Sequence, residues 1–123
     1  MFRVIIAGSR DFDDYELLKE TMDRLLINRT DEIVILSGKA RGADTLGERY
    51  ARERGYFIEE HPADWIRHDR AAGPIRNEQM AQRADALVAF WDGQSPGTKS
   101  MIDLARKYKL KVRVIKYMME EKI

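Results

Sequence analysis

The chain of 123 residues contains no cysteine. Disulfides, thiol nucleophiles and thiolate metal sites are therefore excluded. Long apolar runs are also missing: those present extend about five residues, against the roughly 20 that a membrane helix needs. The start, Met1-Phe2-Arg3-Val4-Ile5-Ile6, runs straight into a strand-like segment and lacks the layout of a signal peptide. A soluble, cytoplasmic protein is expected. A charge excess is missing too. With 22 basic and 21 acidic side chains the net charge is +1, which makes no general electrostatic case for nucleic acid or an anionic membrane as partner. Any basic site must be local. There is no internal repeat, linker or low-complexity segment.

The generic nucleotide fingerprints are absent as well. No Gly-x-Gly-x-x-Gly follows the first strand-like run, and Gly38-Lys39 is followed by Ala40 rather than Ser or Thr. A dehydrogenase or a Walker-type ATPase is not expected, and no motif calls for a cofactor. A Ser-His-Asp triad has no nucleophile-elbow pattern behind it. His61, Asp64 and His68 hint at a metal. Asp64 and His68 have the spacing of one helix face, but the composition around Trp65 reads as loop, and no metal site is expected.

What is present is alternation. Hydrophobic residues make up 44% of the chain, enough for the core of one domain. Val4 to Ala7, Ile33 to Leu36 and Ala86 to Trp91 are continuous apolar runs, as in strands buried on both faces. Tyr56 to His61 has mixed polarity and suits an edge strand, and Lys111 to Tyr117 reads as a last strand. Between them lie helical spacings. The first is Tyr15, Leu18, Met22, Leu25 and Leu26, with Asp13 or Asp14 as cap. The second is Ala43, Leu46, Tyr50 and Ala51, stopped by Gly55. A third begins near Pro74 and a fourth carries Met101, Ile102, Ala105 and Tyr108. Pro62 to Gly73 reads as irregular, and Met118 to Ile123 as a tail. Strand–helix alternation with right-handed crossovers predicts an α/β, Rossmann-like three-layer domain over residues 1–123. Its parallel five-stranded sheet has the expected order 3-2-1-4-5.

In such a sheet, ligands bind beyond the carboxyl ends of the strands at the switch point. Three loops converge there: Gly8-Ser9-Arg10-Asp11, Ser37-Gly38-Lys39-Ala40-Arg41-Gly42-Ala43-Asp44, and Asp92-Gly93-Gln94-Ser95-Pro96-Gly97-Thr98. They bring Arg10, Lys39, Arg41, Arg76 and Lys99 toward one place, with the hydroxyls of Ser9, Ser37, Ser95 and Thr98. Cations, hydroxyls and helix N-termini are what a phosphate needs. Asp44 or Asp92 is expected on ribose, although a cap or turn role suits Asp44 as well. Asp11, Asp103 and Glu78 are further acids near this edge. Trp65 is a candidate for stacking on a base, and Trp91 reads as a strand-end core residue.

These motifs resemble the SLOG superfamily, which includes the LOG phosphoribohydrolases and the DNA-processing protein DprA. The resemblance is closest to its YspA-like branch and covers nearly the whole chain. It rests on Gly8 to Phe12, Ser37 to Asp44, His61 to Trp65, Ala72 to Asn77, and Gly93 with Gly97-Thr98. It implies a pocket for a nucleotide or nucleotide-derived small molecule, held by Gly8, Ser9, Arg10, Ser37, Gly38, Lys39, Arg41, Gly42, Asp44, Arg76, Asn77, Asp92, Gly93, Gly97 and Thr98. It also implies that Arg76 matches the arginine that serves N-glycosidic cleavage in LOG enzymes. The LOG glutamate position is occupied here by Met101, which can neither polarise water nor stabilise an oxocarbenium ion. Binding, as sensor or sequestering protein, is therefore the leading reading. LOG-like hydrolysis through Arg76 and a substitute carboxylate (Asp44, Asp92 or Glu78) is the enzymatic alternative. DprA-like binding of single-stranded DNA is another, and the small net charge argues against long nucleic acid. Homo-oligomerisation is also implied by relatives, and Met118, Met119 and Ile123 could add to such an interface.

Overall fold

The computed structural model describes residues 1–118. Its elements are β1 (Phe2–Gly8), α1 (Tyr15–Leu26), β2 (Ile33–Ser37), α2 (Ala43–Arg54), β3 (Phe57–Glu60), α3 (Trp65–His68), α4 (Ala72–Arg83), β4 (Ala86–Trp91), α5 (Pro96–Lys107) and β5 (Lys111–Lys116). All strand pairs are parallel and the order is β3-β2-β1-β4-β5, as expected from the alternation.

The continuous apolar runs are explained by helices on both faces. Val4, Ile6, Ile33, Ile35, Val88 and Phe90 pack with α1 and α2. Their neighbours Ile5, Ala7, Val34, Leu36, Leu87 and Ala89 pack with α4 and α5. Successive strand residues point to opposite faces, so a central strand covered twice has no polar position to spare. The edge strands escape this constraint. In β3, Phe57 is exposed, and β5 alternates exposed with half-buried residues.

Helix ends follow local chemistry. Asp14, not Asp13, caps α1, accepting from Leu17 N at 3.1 Å. Gly55 ends α2 in the left-handed region, with its N–H directed to Ala51 O and Arg52 O. The segment from Pro62 to Gly73 is more regular than expected. Asp64 accepts from Arg67 N at 3.1 Å and caps the one-turn α3. A 3-10 turn, Asp69–Ala71, then leads directly into α4. Pro74 lies in the first turn of α4, where N–H groups have no partner within the helix, so the helix can begin two residues before it. Met118 is exposed; Met119 and Ile123 lie outside the described residues.

The chain leaves β1 toward one face and β4 toward the other. Because β1 and β4 are neighbours, their following loops part and open a crevice between them.

Candidate functional site

A cavity of about 500 Å³ fills that crevice. Gly8, Ser9, Arg10 and Asp11 form one side, and Ser95 to Thr98 another; Ala40 and Asp44 come from the turn before α2, while Arg76, Asn77 and Met80 come from α4. The floor includes Met101, which is almost fully buried.

The two loops of the crevice are tied together by hydroxyls. Ser9 Oγ accepts from Asp92 N at 3.2 Å and lies 3.1 Å from Ser95 Oγ. The Asp92 carboxylate accepts from Gln94 N (2.9 Å), Ser95 N (2.8 Å) and Ser95 Oγ (2.8 Å). Those donors hold its pKa below the usual carboxylate value, and they leave it serving the loop rather than lining the cavity. Trp91 Nε1 donates to Ser95 O at 3.1 Å and braces the same loop. Gly93 takes the positive φ of the turn. Gly8 sits so close to β4 that a Cβ would lie 2.2 Å from Phe90 O.

The loop then runs into α5, whose first intrahelical bond is Lys99 N to Ser95 O at 3.1 Å. Pro96 has no N–H, and the N–H groups of Gly97 and Thr98 precede that first bond. They are the orphan donors of the helix N-terminus, and their residues line the cavity. The space beside Gly97 is open, with nothing within 4 Å of its Cβ position.

The turn before α2 divides its side chains between two directions. Ser37 Oγ is buried and donates to Glu48 Oε2 at 2.6 Å; Lys39 Nζ donates to Glu48 Oε1 at 2.9 Å and reaches Glu60 Oε1 at 3.5 Å. Both expected ligand groups are thus occupied by α2 and β3, and neither lines the main cavity. Glu48, absent from the sequence reading, is the residue that organises them. Its one visible signal is its place four residues after Asp44, on the same helix face. Gly42 has φ 77°, and a Cβ there would stand 2.3 Å from Ser9 O and 2.6 Å from Arg10 O. Its role is to let this turn lie against the β1 loop.

Asp44 points the other way. It is 5% exposed and accepts from Ala40 N at 3.2 Å. Burial raises its pKa to about 6, and Glu48 adds to the rise; the Ala40 and Gly38 N–H groups and the Arg76 charge oppose it. Burial in turn pulls the Arg76 guanidinium down, against the attraction of Asp44. Arg76 is held by two contacts: Nε donates to Asn77 Oδ1 at 2.9 Å, and Nη1 donates to Gly38 O. A Cβ on Gly38 would come within 2.8 Å of Asp44 Oδ2 and 3.0 Å of Arg76 Nη1. A carboxyl and a guanidinium therefore converge over a residue that leaves them room.

Four of the five expected cations line the main cavity or a smaller one beside it. Arg10 and Arg76 line both, and Lys39 and Arg41 line the smaller one. Lys39 is engaged by Glu48, and Lys99 pairs with Asp103 at 2.9 Å on the exposed side of α5. Glu78 accepts from Tyr108 OH at 2.6 Å and Asp11 from Tyr117 OH at 2.9 Å. Of the carboxylates named as substitutes for the LOG glutamate, Asp44 is the one at the cavity wall.

A family model described as YspA, cpYpsA-related SLOG family matches residues 2–68. The chain belongs to this SLOG family. Among curated proteins it is similar to the Gene 61 protein of Mycobacterium phage D29, with 36% identity over 113 residues, 87% of this chain and 90% of that protein. Among solved structures it is similar to DNA processing protein A (DprA) from Streptococcus pneumoniae, with a TM-score of 0.75 and 18% identity over 96% of this chain. DprA from Helicobacter pylori, whose structure addresses that protein's single-stranded DNA binding mode, gives a TM-score of 0.69 and 21% identity over 98% of this chain. The chain spans 51% of the first DprA and 67% of the second, and at these identities the likeness concerns the fold. In this SLOG chain the matched segment includes the β1 loop and the turn before α2. The opposing wall, from Arg76 to Met101, lies beyond it.

Proposed function

We propose that this protein binds a nucleotide or nucleotide-derived small molecule in the cavity between β1 and β4, as a sensor or a sequestering protein of the cytoplasm. Residues 1–123 act as one binding domain in this reading. The observation that carries it is the meeting, in one cavity, of the α5 N-terminus with the guanidinium groups of Arg10 and Arg76. Anions are favoured at helix N-termini by the orphan N–H groups and the helix dipole. A phosphate rests on the N–H groups of Gly97 and Thr98, with Thr98 Oγ1 beside it and Arg10 supplying charge. Asp44 takes a ribose hydroxyl, and Asn77 positions Arg76. The volume, about 500 Å³, lies within the roughly 300–1,000 Å³ usual for small-molecule sites.

Met101 supports binding over hydrolysis, because an apolar thioether cannot activate water. A hydrolytic reading is nevertheless favoured by one observation. Asp44 titrates near 6 beside a guanidinium, a value suited to proton transfer near neutral pH. Incubation with a panel of nucleotides, cyclic nucleotides and ADP-ribose derivatives, followed by mass spectrometry, separates the readings. A ligand released unchanged on denaturation supports binding. A free base with ribose phosphate supports hydrolysis through Asp44. Retention of oligonucleotides and of no small nucleotide would refute the proposal in favour of strand binding.

A further inference from the structure

The main cavity has an annex of about 280 Å³. The two share Arg10, Ala40 and Arg76 in their walls, so they are two lobes of one cleft. Their chemistry differs. The first lobe has the α5 N-terminus and the buried Asp44, whereas the second has Arg41, Pro62 and Trp65.

Trp65 is 52% exposed, although water is a poor environment for an indole. It is placed rather than loose, because Asp64 caps the turn that carries it. Its Cη2 lies 3.7 Å from the Cβ position of Gly73, and Arg76 Nη2 lies 3.8 Å from the same point. The ring edge and the shared guanidinium thus both border one small residue of α4. Among the described residues, neither Arg10 nor Arg41 has an ion-pair partner. An exposed aromatic face beside unneutralised guanidinium groups is the chemistry that recognises a nucleobase joined to a phosphodiester.

We propose that the cleft takes two nucleotide units joined through phosphate. One unit occupies the first lobe, with its terminal phosphate at Gly97 and Thr98. The linking phosphate lies between Arg10 and Arg41, and the second base stacks on Trp65. This inference rests on the nucleotide reading of the first lobe, and it adds that a mononucleotide fills the cleft only in part.

The test offers the whole chain two pools, all ribonucleoside 5′-monophosphates and all 5′-phosphorylated ribodinucleotides, and identifies retained members by native mass spectrometry. The best of each is then titrated against wild type, Trp65→Ala, Trp65→Phe and Arg41→Ala. Stacking on an aromatic side chain corresponds to a gain of roughly 5- to 150-fold for the dinucleotide over the mononucleotide. Trp65→Ala is expected to abolish most of that gain and Trp65→Phe to restore much of it, with mononucleotide affinity unchanged in both, and Arg41→Ala is expected to reduce the gain. A longer oligonucleotide then identifies the source. Affinity that levels off at two units supports a free dinucleotide, and affinity that keeps rising supports a strand seated in the same two lobes. Equal affinity for both pools, or a dinucleotide gain that survives Trp65→Ala, overturns the inference and leaves the nucleotide reading standing. Retention of neither pool overturns the inference, and the nucleotide reading falls with it only if cyclic nucleotides and ADP-ribose derivatives are not retained either.

Discussion

Replacing Asp44 by Asn should make the stability of the ligand-free protein depend on pH in a specific way. The folded state raises the Asp44 pKa from 3.8 to about 6, and at 5% exposure solvent screens this little. The folded protein therefore binds this proton more tightly than the unfolded chain does. Stability from this group is fully present below the unfolded value and is lost as pH rises through about 6. A difference of about two units corresponds to about 3 kcal/mol. Asn cannot ionise, so the Asp44→Asn variant does not suffer that loss. Its amide still accepts from Ala40 N, but it meets a second donor at Gly38 N, a mismatch that costs about 1–2 kcal/mol at every pH. The constant part cancels in a comparison across pH. Between pH 4 and 7.5, unfolding free energy of the variant minus that of wild type should rise by about 2–3 kcal/mol. Urea denaturation followed by circular dichroism measures this directly, in buffers free of phosphate and nucleotide. A difference that stays flat across the range would refute the reasoning. It would mean that Arg76 and the two backbone N–H groups fully offset burial, leaving an ordinary carboxylate.

Other substitutions test the rest of the site. Gly42→Ala should cost at least about 2 kcal/mol in urea denaturation, because it combines a positive φ with a Cβ driven into Ser9 O. Glu48→Gln removes the charge that holds Lys39 and weakens the acceptor for Ser37, which should cost about 1–2 kcal/mol at pH 7. Since the Glu48 pKa is lowered on folding, its stabilisation is present above the unfolded value and lost as pH falls through the folded one; the penalty should shrink in acid melts. Arg10→Ala should leave stability within about 0.5 kcal/mol of wild type. The same change should weaken nucleotide binding by roughly tenfold or more in calorimetric titration, the loss of a charged hydrogen bond.

The sheet was legible in the chain because hydrophobic burial is periodic and local. Ile33 to Leu36 declares a strand covered on both faces without reference to any other residue, and the spacing from Tyr15 to Leu26 declares a helix. Parallel order then follows from the handedness of the crossovers. The segment before Pro74 was less legible, since a one-turn helix and a 3-10 turn bury too little to leave a period.

The site divides along the same line. The glycine turns and the chain-end positions of Arg10, Asp44, Gly97 and Thr98 could be read from the order of elements. What each polar group does could not. Asp44 and Asp92 look alike as acids next to glycine turns, yet Asp92 is pulled down by three neighbouring donors and Asp44 is pushed up by burial. Ser37 and Lys39 look like phosphate ligands until Glu48 takes both. Arg76 reaches Gly38 across 38 positions of sequence. A side chain's apolar surface is its own property and can be read residue by residue. Its charge state and its hydrogen-bond partner belong to the neighbours that only tertiary packing supplies.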